Sequence, residues 1–461
     1  MSKIEQIMTT VIEKIQTSQY RSGAKIKSIR AAALYFSVSK NTVVEAYERL
    51  VAMGYLQAKR GSGFYVTKRF QAPSTQRTHQ LAQAVDSVTL LREQLIRDYA
   101  VRIGDGRPPE DWVENIDLGK AKHGTSGKSN QIFVSGYGNP WGYFPLRERI
   151  AQFMYKRHLP VHPDKILLTH SANHAMDLVA RQLLQPGDVA LVDSPGYYPL
   201  FGKLKFSQVQ LVGVRRQKDG PDTDDLAAKI KKYQPKIFFT QSLAHNPTGS
   251  NLSLPVAHRI LKLADAHGMY IVEDDAFADI LNAGQPRLAV LDQFERVIYI
   301  GTFSKTLSAA FRVGYITANK ALIRTLCDLK MLTLVSTSDF VERVVCNIID
   351  SGQYSRHLNI LKNKVKQFTA KSVKKLKPLG VEFPYGYHGG GYYLWAQIPN
   401  VCKDKFSHRA SQAGIFLAPG HLFRPDHQIQ PDYLSLRINV AYATDPRFLN
   451  FIAKMTAKDH V

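Results

Sequence analysis

The stretch Val297-Ile298-Tyr299-Ile300-Gly301-Thr302-Phe303-Ser304-Lys305 joins an apolar run to a polar cluster, and Arg312 and Gly314 follow shortly after. Val297 to Gly301 reads as a buried strand. Lys305 therefore stands just behind a strand end, set back from solvent, where desolvation and nearby cations lower an amine's pKa and favour the free base needed for Schiff-base formation. Thr302, Ser304 and Arg312 are close enough in sequence to offer hydroxyls and a guanidinium to a phosphate. A charge-assisted hydrogen bond of that kind contributes about 1.5–3 kcal/mol. Alone, a Ser-Lys pair behind a strand is more often structural, so its meaning depends on what stands at the other strand ends.

Working outward, six more apolar runs read as strands: Ile166 to Thr169, Val189 to Asp193, Val209 to Val214, Ile237 to Gln241, Tyr270 to Asp274 and Val313 to Thr317. Helical stretches separate them. Strands that are apolar throughout and alternate with helices imply a mainly parallel seven-stranded sheet covered on both faces, with ligands at the carboxyl ends. Beyond about residue 335, a long helix and a mixed segment with Gly389-Gly390-Gly391 suggest a smaller C-terminal α+β domain.

Several strand ends carry chemistry. Asp274, in Val272-Glu273-Asp274-Asp275, can hold a pyridine nitrogen protonated and so maintain an electron sink, or it can cap a helix. Asn246, in His245-Asn246-Pro247-Thr248-Gly249, can donate its amide to a ring oxygen or simply belong to a turn. Ser171, Ala172 and Asn173 lead from a strand into an amphipathic helix, whose first N–H groups can cradle a phosphate. Tyr197 can stack on a ring or pack in a core. Arg437 is a lone basic residue in an apolar strand, which suits either a bidentate carboxylate or a surface ion pair. The three cysteines, Cys327, Cys346 and Cys402, lack metal-ligand or redox spacing and read as buried thiols; no metal is expected.

The amino-terminal end is a different object. Ile4, Ile7, Met8, Val11, Ile12 and Ile15 recur at helical spacing; Ser28 and Ser39 cap a second and a third helix, and Gly54-Tyr55-Leu56 followed by Lys59 to Val66 reads as two short extended runs around a glycine-containing turn. This is a winged helix-turn-helix. Residues 1–80 hold 13 basic and 4 acidic side chains, net +9, leaving +14 of the total +23 for the other 381 residues. Such a balance favours a polyanionic partner, although a solvated basic surface would give the same numbers. Residues 67–85, rich in Thr, Gln, Ser and basic residues, read as a linker between a module at 1–66 and a unit at 86–461. No apolar run suffices for a membrane span, and the first residues lack a signal core, so a cytoplasmic protein is expected.

With these residues in place, positions from about 110 to 455 resemble the fold-type I, aspartate-aminotransferase-like enzymes that bind pyridoxal 5′-phosphate (PLP). Asn-Pro-Thr-Gly, Glu-Asp-Asp, Ser-Lys with a downstream Arg, Gly-Gly-Gly-Tyr-Tyr-Leu-Trp and a late Arg occur in that family's order. The resemblance implies an internal aldimine at Lys305, a pyridine partner in Asp274, a ring-hydroxyl donor in Asn246 and stacking by Tyr197. It assigns the phosphate to Thr302, Ser304, Arg312 and the Ser171, Ala172 and Asn173 amides, with Tyr137 reaching the phosphate of a neighbouring subunit. Arg437 would take a ligand carboxylate. Residues 1–66 resemble the winged helix of GntR-family regulators, which implies that Ser39, Lys40, Asn41 and Thr42 enter the major groove of operator DNA, while Arg30, Arg60 and Gly61 contact phosphate or the minor groove. The two halves together resemble the MocR-type subfamily, a head-to-tail homodimer that binds a small-molecule effector.

Three departures bear on activity. Phe277 stands where many aminotransferases carry a tyrosine that bonds the ring oxygen, His170 precedes the phosphate helix where small residues are usual, and residues 115–130 do not resemble the usual substrate-side segment. The leading reading is a PLP-responsive transcriptional regulator, and the alternative is an active aminotransferase with an accessory winged helix. A third reading, in which residues 1–66 only pack, leaves the wing without a purpose.

Overall fold

The computed structural model of the chain describes residues 3–17, 19–59, 61–67, 99–106, 109, 112, 137–281, 284–387, 390–399, 401, 403–427 and 433–457. The expected linker (beyond Thr67), Arg60, Cys402 and the segment 115–130 therefore lie outside the described residues. The chain divides into two compact units, Met1–Thr78 and His79–Val461.

In the first unit, α1 (Lys3–Gln16), α2 (Ile29–Phe36) and α3 (Lys40–Ala52) are followed by β1 (Leu56–Lys59) and β2 (Gly63–Val66). Ile7 and Val11 of α1, Ala32 of α2, Val43, Ala46, Tyr47 and Leu50 of α3, and Leu56 and Val66 of the hairpin form one buried core. The spacing of these positions along α1 and α3 is what the sequence shows as amphipathy. The Ser28 hydroxyl accepts from the Ala31 N–H, and that of Ser39 from the Thr42 N–H (3.2 Å), so each serine satisfies a donor at the start of its helix. β1 and β2 pair antiparallel, with Leu56 opposite Val66 and Lys59 opposite Gly63. The segment before α2 joins them as a third edge: Ile26 N–H donates to Phe64 O and Val66 N–H to Ala24 O.

The second unit is built on an eight-stranded sheet. Its strands are β3 (Ile166–Thr169), β4 (Val189–Ser194), β5 (Gln210–Gln217), β6 (Gly220–Pro221), β7 (Ile237–Thr240), β8 (Tyr270–Asp275), β9 (Val297–Thr302) and β10 (Gly314–Thr317), in the order β3-β10-β9-β8-β7-β4-β5-β6. Among the described residues, six strands run one way and only β6 and β10 oppose them. The seven strands read from sequence are all present. The eighth, β6, is a two-residue return at a tight turn where Gly220 adopts φ +133°, too short to leave an apolar signature.

Alternation within each strand feeds two cores. Ile237 and Phe239 of β7 and Ile298 and Ile300 of β9 belong to one, while Phe238 of β7 and Val297 and Tyr299 of β9 belong to the other. Both faces are thus covered, and each fully buried side chain such as Phe238 contributes about 1.5–3 kcal/mol. Of the helices, α4 (Phe144–Lys156) packs against β3, and α5 (Ser171–Leu183) leads directly from β3 into the site. A smaller two-stranded sheet pairs β11 (Tyr393–Pro399) with β12 (Tyr433–Asn439), antiparallel, with Trp395 opposite Arg437. Cys327 and Cys346 are buried free thiols, as expected. Among the described residues, no helix is long and apolar enough to cross a membrane, and no group of three or more His, Cys, Asp or Glu is placed to hold a metal.

Candidate functional site

Parallel pairing brings the carboxyl ends of β4, β7, β8 and β9 side by side, and β10, running against β9, sets its amino end among them: Gly314 lies opposite both Thr302 and Thr169. Asp274, Asn246, Lys305, Thr302, Ser304, Arg312 and Ser171 are thereby gathered from segments up to 141 residues apart.

Asp274 is buried. Its Oδ2 accepts a hydrogen bond from Gln241 Nε2, whereas its Oδ1 has no partner. Burial, joined by repulsion from Asp275, pushes this carboxyl up to about 6, against the opposing pull of the Gln241 donor and the Lys305 charge. Asn246 is also buried. Its Oδ1 accepts from Arg437 Nη1 (3.0 Å), so Nδ2 is the end left to donate to a ligand oxygen. Arg437 is 2% exposed, which disposes of the surface ion pair. Its Nη2 donates to Gly104 O (2.6 Å), its Nε is buried without a partner, and its guanidinium lies 4.8 and 5.0 Å from the rings of Tyr393 and Phe423. A ligand carboxylate would have to exchange with the Gly104 carbonyl.

The phosphate-side residues converge on the start of α5. Arg312 Nη2 donates to Ser171 Oγ (2.5 Å), and the Ser171, Ala172 and Asn173 N–H groups belong to the first turn, where no intrahelical acceptor exists. Thr302 Oγ1 and Ser304 Oγ lie 3.1 Å apart, and Ser304 N–H donates to Thr302 Oγ1 (3.2 Å). Ser171 (φ +75°) and Arg312 (φ +53°) both hold the left-handed backbone conformation that costs a non-glycine residue of order 1 kcal/mol, as is common where geometry serves a ligand. Gly314 is required by packing: a Cβ there would stand 2.6 Å from the Ser171 carbonyl carbon and 2.8 Å from Ala172 N. His170 is exposed, and its N–H donates to His174 Nδ1 (3.1 Å). Burial, with Lys330 nearby, lowers the His174 imidazole to about 4, so the ring is neutral and able to accept.

Lys305 is half-buried, and its Nζ donates to Gly106 O (2.5 Å). Tyr393 Oη donates to the same carbonyl (2.8 Å), and Tyr392 Oη donates to Lys305 O (2.6 Å). Tyr197 is half-buried at the end of β4 and donates its hydroxyl to Asn173 Oδ1 (3.1 Å), which ties the expected stacking residue to the phosphate helix. Phe277 is buried against the rings of Tyr392 and Tyr393, with centroids 5.3 and 5.7 Å away, and offers no hydrogen bond. Tyr137 is 87% exposed.

The chemistry of these residues is compatible with PLP on three counts: a buried carboxylate oxygen without a partner could face a protonated ring nitrogen, an amide NH2 is the end left to donate, and a helix start with a guanidinium could take a phosphate. Sequence reasoning named each of them. It gave no role to Gln241, which bonds Asp274, or to Tyr392 and Tyr393; the tyrosines lay within the quoted glycine-tyrosine motif, but Gln241 left no local signal.

On the first unit, Ser39, Lys40 and Asn41 are exposed at the start of α3, Thr42 is half-buried, Arg30 is exposed on α2, and Gly61 turns the hairpin with φ +72°. Lys59 and Lys25 lie 4.6 and 6.0 Å from the Tyr65 ring, so the hairpin face is basic around an aromatic.

Comparison with known proteins matches both units. Residues 99–454 match the family described as aminotransferase class I and II, and residues 3–66 match the gntR family of bacterial regulatory proteins. An uncharacterized HTH-type transcriptional regulator, YisV, of Bacillus subtilis (strain 168) is 25% identical over 458 residues, spanning 96% of this chain and 92% of that protein. The HTH-type transcriptional regulator NorG of Staphylococcus aureus (strain USA300) is 25% identical over 447 residues, spanning 94% and 98%. Among solved structures, Pyrococcus horikoshii kynurenine aminotransferase, in complex with PMP, aligns with a TM-score of 0.71 at 23% identity over 83% of this chain and 94% of that one. LysN, the α-aminoadipate aminotransferase of Thermus thermophilus, complexed with N-(5′-phosphopyridoxyl)-L-leucine, aligns with 0.67 at 23% identity over 81% and 94%. At that identity the likeness to the two enzymes shows the fold alone.

Proposed function

Because the chain belongs to the aminotransferase class I and II family and carries a gntR-type winged helix at residues 3–66, we propose that it is a DNA-binding transcriptional regulator whose aminotransferase-like unit reads PLP, or an amine or amino acid joined to it, at Lys305. The observation that carries this reading is the presence, on one chain, of a basic winged helix and a group of strand-end residues around Lys305 and Asp274 that suits PLP. The pairing is consistent with the MocR-type arrangement, and two relatives that align over nearly the whole chain are named as transcriptional regulators.

In this reading residues 1–66 are the DNA-binding module, 67–85 the linker and 86–461 the effector and dimerisation unit. When bound, PLP supplies an aldehyde carbon that reacts with amines and a pyridinium ring that withdraws electrons. The chain's residues do the rest. Lys305 provides the amine, Asp274 Oδ1 holds the ring proton, Asn246 Nδ2 donates to the ring hydroxyl, Tyr197 covers the ring, and Thr302, Ser304, Arg312 and the Ser171, Ala172 and Asn173 amides bind the phosphate. Arg437 takes the carboxylate of an amino-acid effector by exchanging its bond to Gly104. Tyr137 reaches the phosphate site of a second copy, and the resulting homodimer presents two winged helices to paired operator sites in the cytoplasm. There Ser39, Lys40, Asn41 and Thr42 enter the major groove, and Arg30, Arg60 and Gly61 meet phosphate or the minor groove.

The test is fluorescence anisotropy of the full chain on DNA from immediately upstream of its own gene, at physiological salt with competitor DNA, titrated with PLP, alongside Lys305→Ala. Specific binding that responds to PLP in the wild type and not in Lys305→Ala is the expected result. Binding that ignores PLP would remove PLP as the signal. The second reading, an active aminotransferase, draws on the convergence of Lys305, Asp274, Asn246 and Arg312; Phe277 and the engaged Arg437 weigh against it. Rapid multiple-turnover transamination would favour it, and slow single half-reactions would not.

A further inference from the structure

Gln241 follows β7, and the register of β7 on β8 sets Thr240 opposite Glu273, which brings Gln241 beside Asp274. Its backbone is fixed from both sides. The Gln241 N–H donates to Asp193 Oδ2 (3.3 Å), a carboxylate oxygen that also accepts from Thr240 Oγ1 (2.8 Å) and Arg216 Nη1 (3.1 Å), and Arg216 Nη2 donates to Gln241 O (3.0 Å). The side chain then makes two bonds. Oε1 accepts the backbone N–H of Asn246 (2.6 Å), and Nε2 donates to Asp274 Oδ2.

We propose that Gln241 is a positioning residue that decides which oxygen of Asp274 can carry a proton and holds that proton on the side of the cofactor ring. The argument rests on donor and acceptor identity. A backbone N–H can only donate, so the amide oxygen of Gln241 must face Asn246, and the amide cannot be flipped. Nε2 is therefore the end at Asp274, and an amide nitrogen does not accept. Asp274 Oδ2 is confined to accepting, and any proton on the carboxyl sits on Oδ1, the buried oxygen with no partner. One neutral amide thus orients the two residues assigned to opposite edges of the ring, the nitrogen partner Asp274 and the hydroxyl partner Asn246. The other charged or titratable groups acting on Asp274 are Asp275, Lys305, Tyr197 and Tyr393. None of them bonds Oδ2 or constrains the proton in this way.

This inference rests on the PLP reading above. Its test is the pH titration of the visible absorption band of the full chain at saturating PLP, for wild type, Gln241→Met and Gln241→Glu. Methionine keeps the volume but removes both bonds, the donor to Asp274 and the acceptor for the Asn246 N–H. Without the donor the Asp274 carboxylate is less stabilised and takes up a proton more readily, so it would hold less positive charge at the ring nitrogen, and the visible band would titrate at higher pH. The lost bond to a charged group raises Asp274 by about 1–2 pH units, and the midpoint of the band rises by a part of that, readable as a shift of roughly a few tenths of a pH unit or more. Glutamate keeps the acceptor for Asn246 and moves the midpoint in the same direction, by placing a second carboxyl beside Asp274; it carries the test if the methionine variant does not fold. A purely structural role would lower the melting temperature and leave the midpoint of the occupied protein where it was. Midpoints equal to wild type overturn the proposal, as does a folded variant that takes up no PLP, because the phosphate contacts are untouched. If the wild type itself forms no visible band, the PLP reading fails and this inference with it.

Discussion

Asp274 faces opposite demands with and without a cofactor. Its carboxyl is buried with one oxygen unpartnered, and burial pushes it up to about 6, well above the roughly 3.9 of an aspartate in the unfolded chain. A folded-state value raised above the unfolded one means that the favourable contribution is complete below about pH 4 and is lost as pH rises through about 6. Asp274→Asn removes this titration. Without added PLP we expect the variant to be more stable than the wild type at pH 7.5, by about 3 kcal/mol, and the difference nearly to vanish at pH 4. Thermal melts of both proteins at the two pH values check this, and parallel pH profiles would contradict it. A pyridinium beside Oδ1 reverses the preference, so added PLP should stabilise the wild type at pH 7.5 far more than the variant. Gly314 supplies a second case at this scale. Its missing side chain lets β10 approach the start of α5 to within backbone contact, so Gly314→Ala should push Ser171 and Ala172 away from Arg312. A stability loss of about 1–3 kcal/mol is expected, with PLP affinity, read by equilibrium dialysis, reduced at least tenfold.

The elements show why some of this was legible in advance. The seven longer strands announce themselves because each is an apolar run that feeds both cores, and the polar residues just past their ends mark the site. The helix starts at Ser28 and Ser39 are equally local, since a cap and the N–H it satisfies lie within three residues. The bond between Gln241 and Asp274 is not local. It spans 33 residues and exists because β7 and β8 pair in one register, which no short window of sequence encodes. The occupation of Arg437 by Asn246 and Gly104 was hidden for the same reason, its partners lying 191 and 333 residues away. At α3, capping and DNA contact fall on the same residue and can be separated. Ser39→Ala removes the acceptor for the Thr42 N–H and should destabilise the winged helix by about 1 kcal/mol. Ser39→Asp keeps an acceptor at the cap and adds favourable charge at a helix start, so the melting temperature should hold. In the proposed complex that same charge enters the major groove of a polyanion, and operator affinity should fall. Melting and anisotropy measured together on both variants check the separation; a Ser39→Asp protein that binds operator as tightly as wild type would mean that the start of α3 does not approach the DNA.

At the scale of the whole molecule, the proposal joins two ligands through one chain, and thermodynamics then fixes a relation between them. If PLP at Lys305 changes operator affinity by some factor, operator must change PLP affinity by the same factor, since the free energy of the cycle is independent of path. A tenfold effect corresponds to about 1.4 kcal/mol and is measurable from both sides. This reciprocity matters for a chain with 61 lysines and arginines, because PLP is an anionic aldehyde that can react with surface lysines and weaken DNA binding by masking positive charge. Masking of that kind persists in Lys305→Ala, and it shows no matching tightening or loosening of PLP at a single site. We therefore expect PLP titrations of the wild type, with and without saturating operator, to differ by the factor that anisotropy reports for operator with and without PLP, and both differences to vanish in Lys305→Ala. An operator effect on PLP that fails to match the PLP effect on operator would place the response outside the Lys305 pocket, whatever its size.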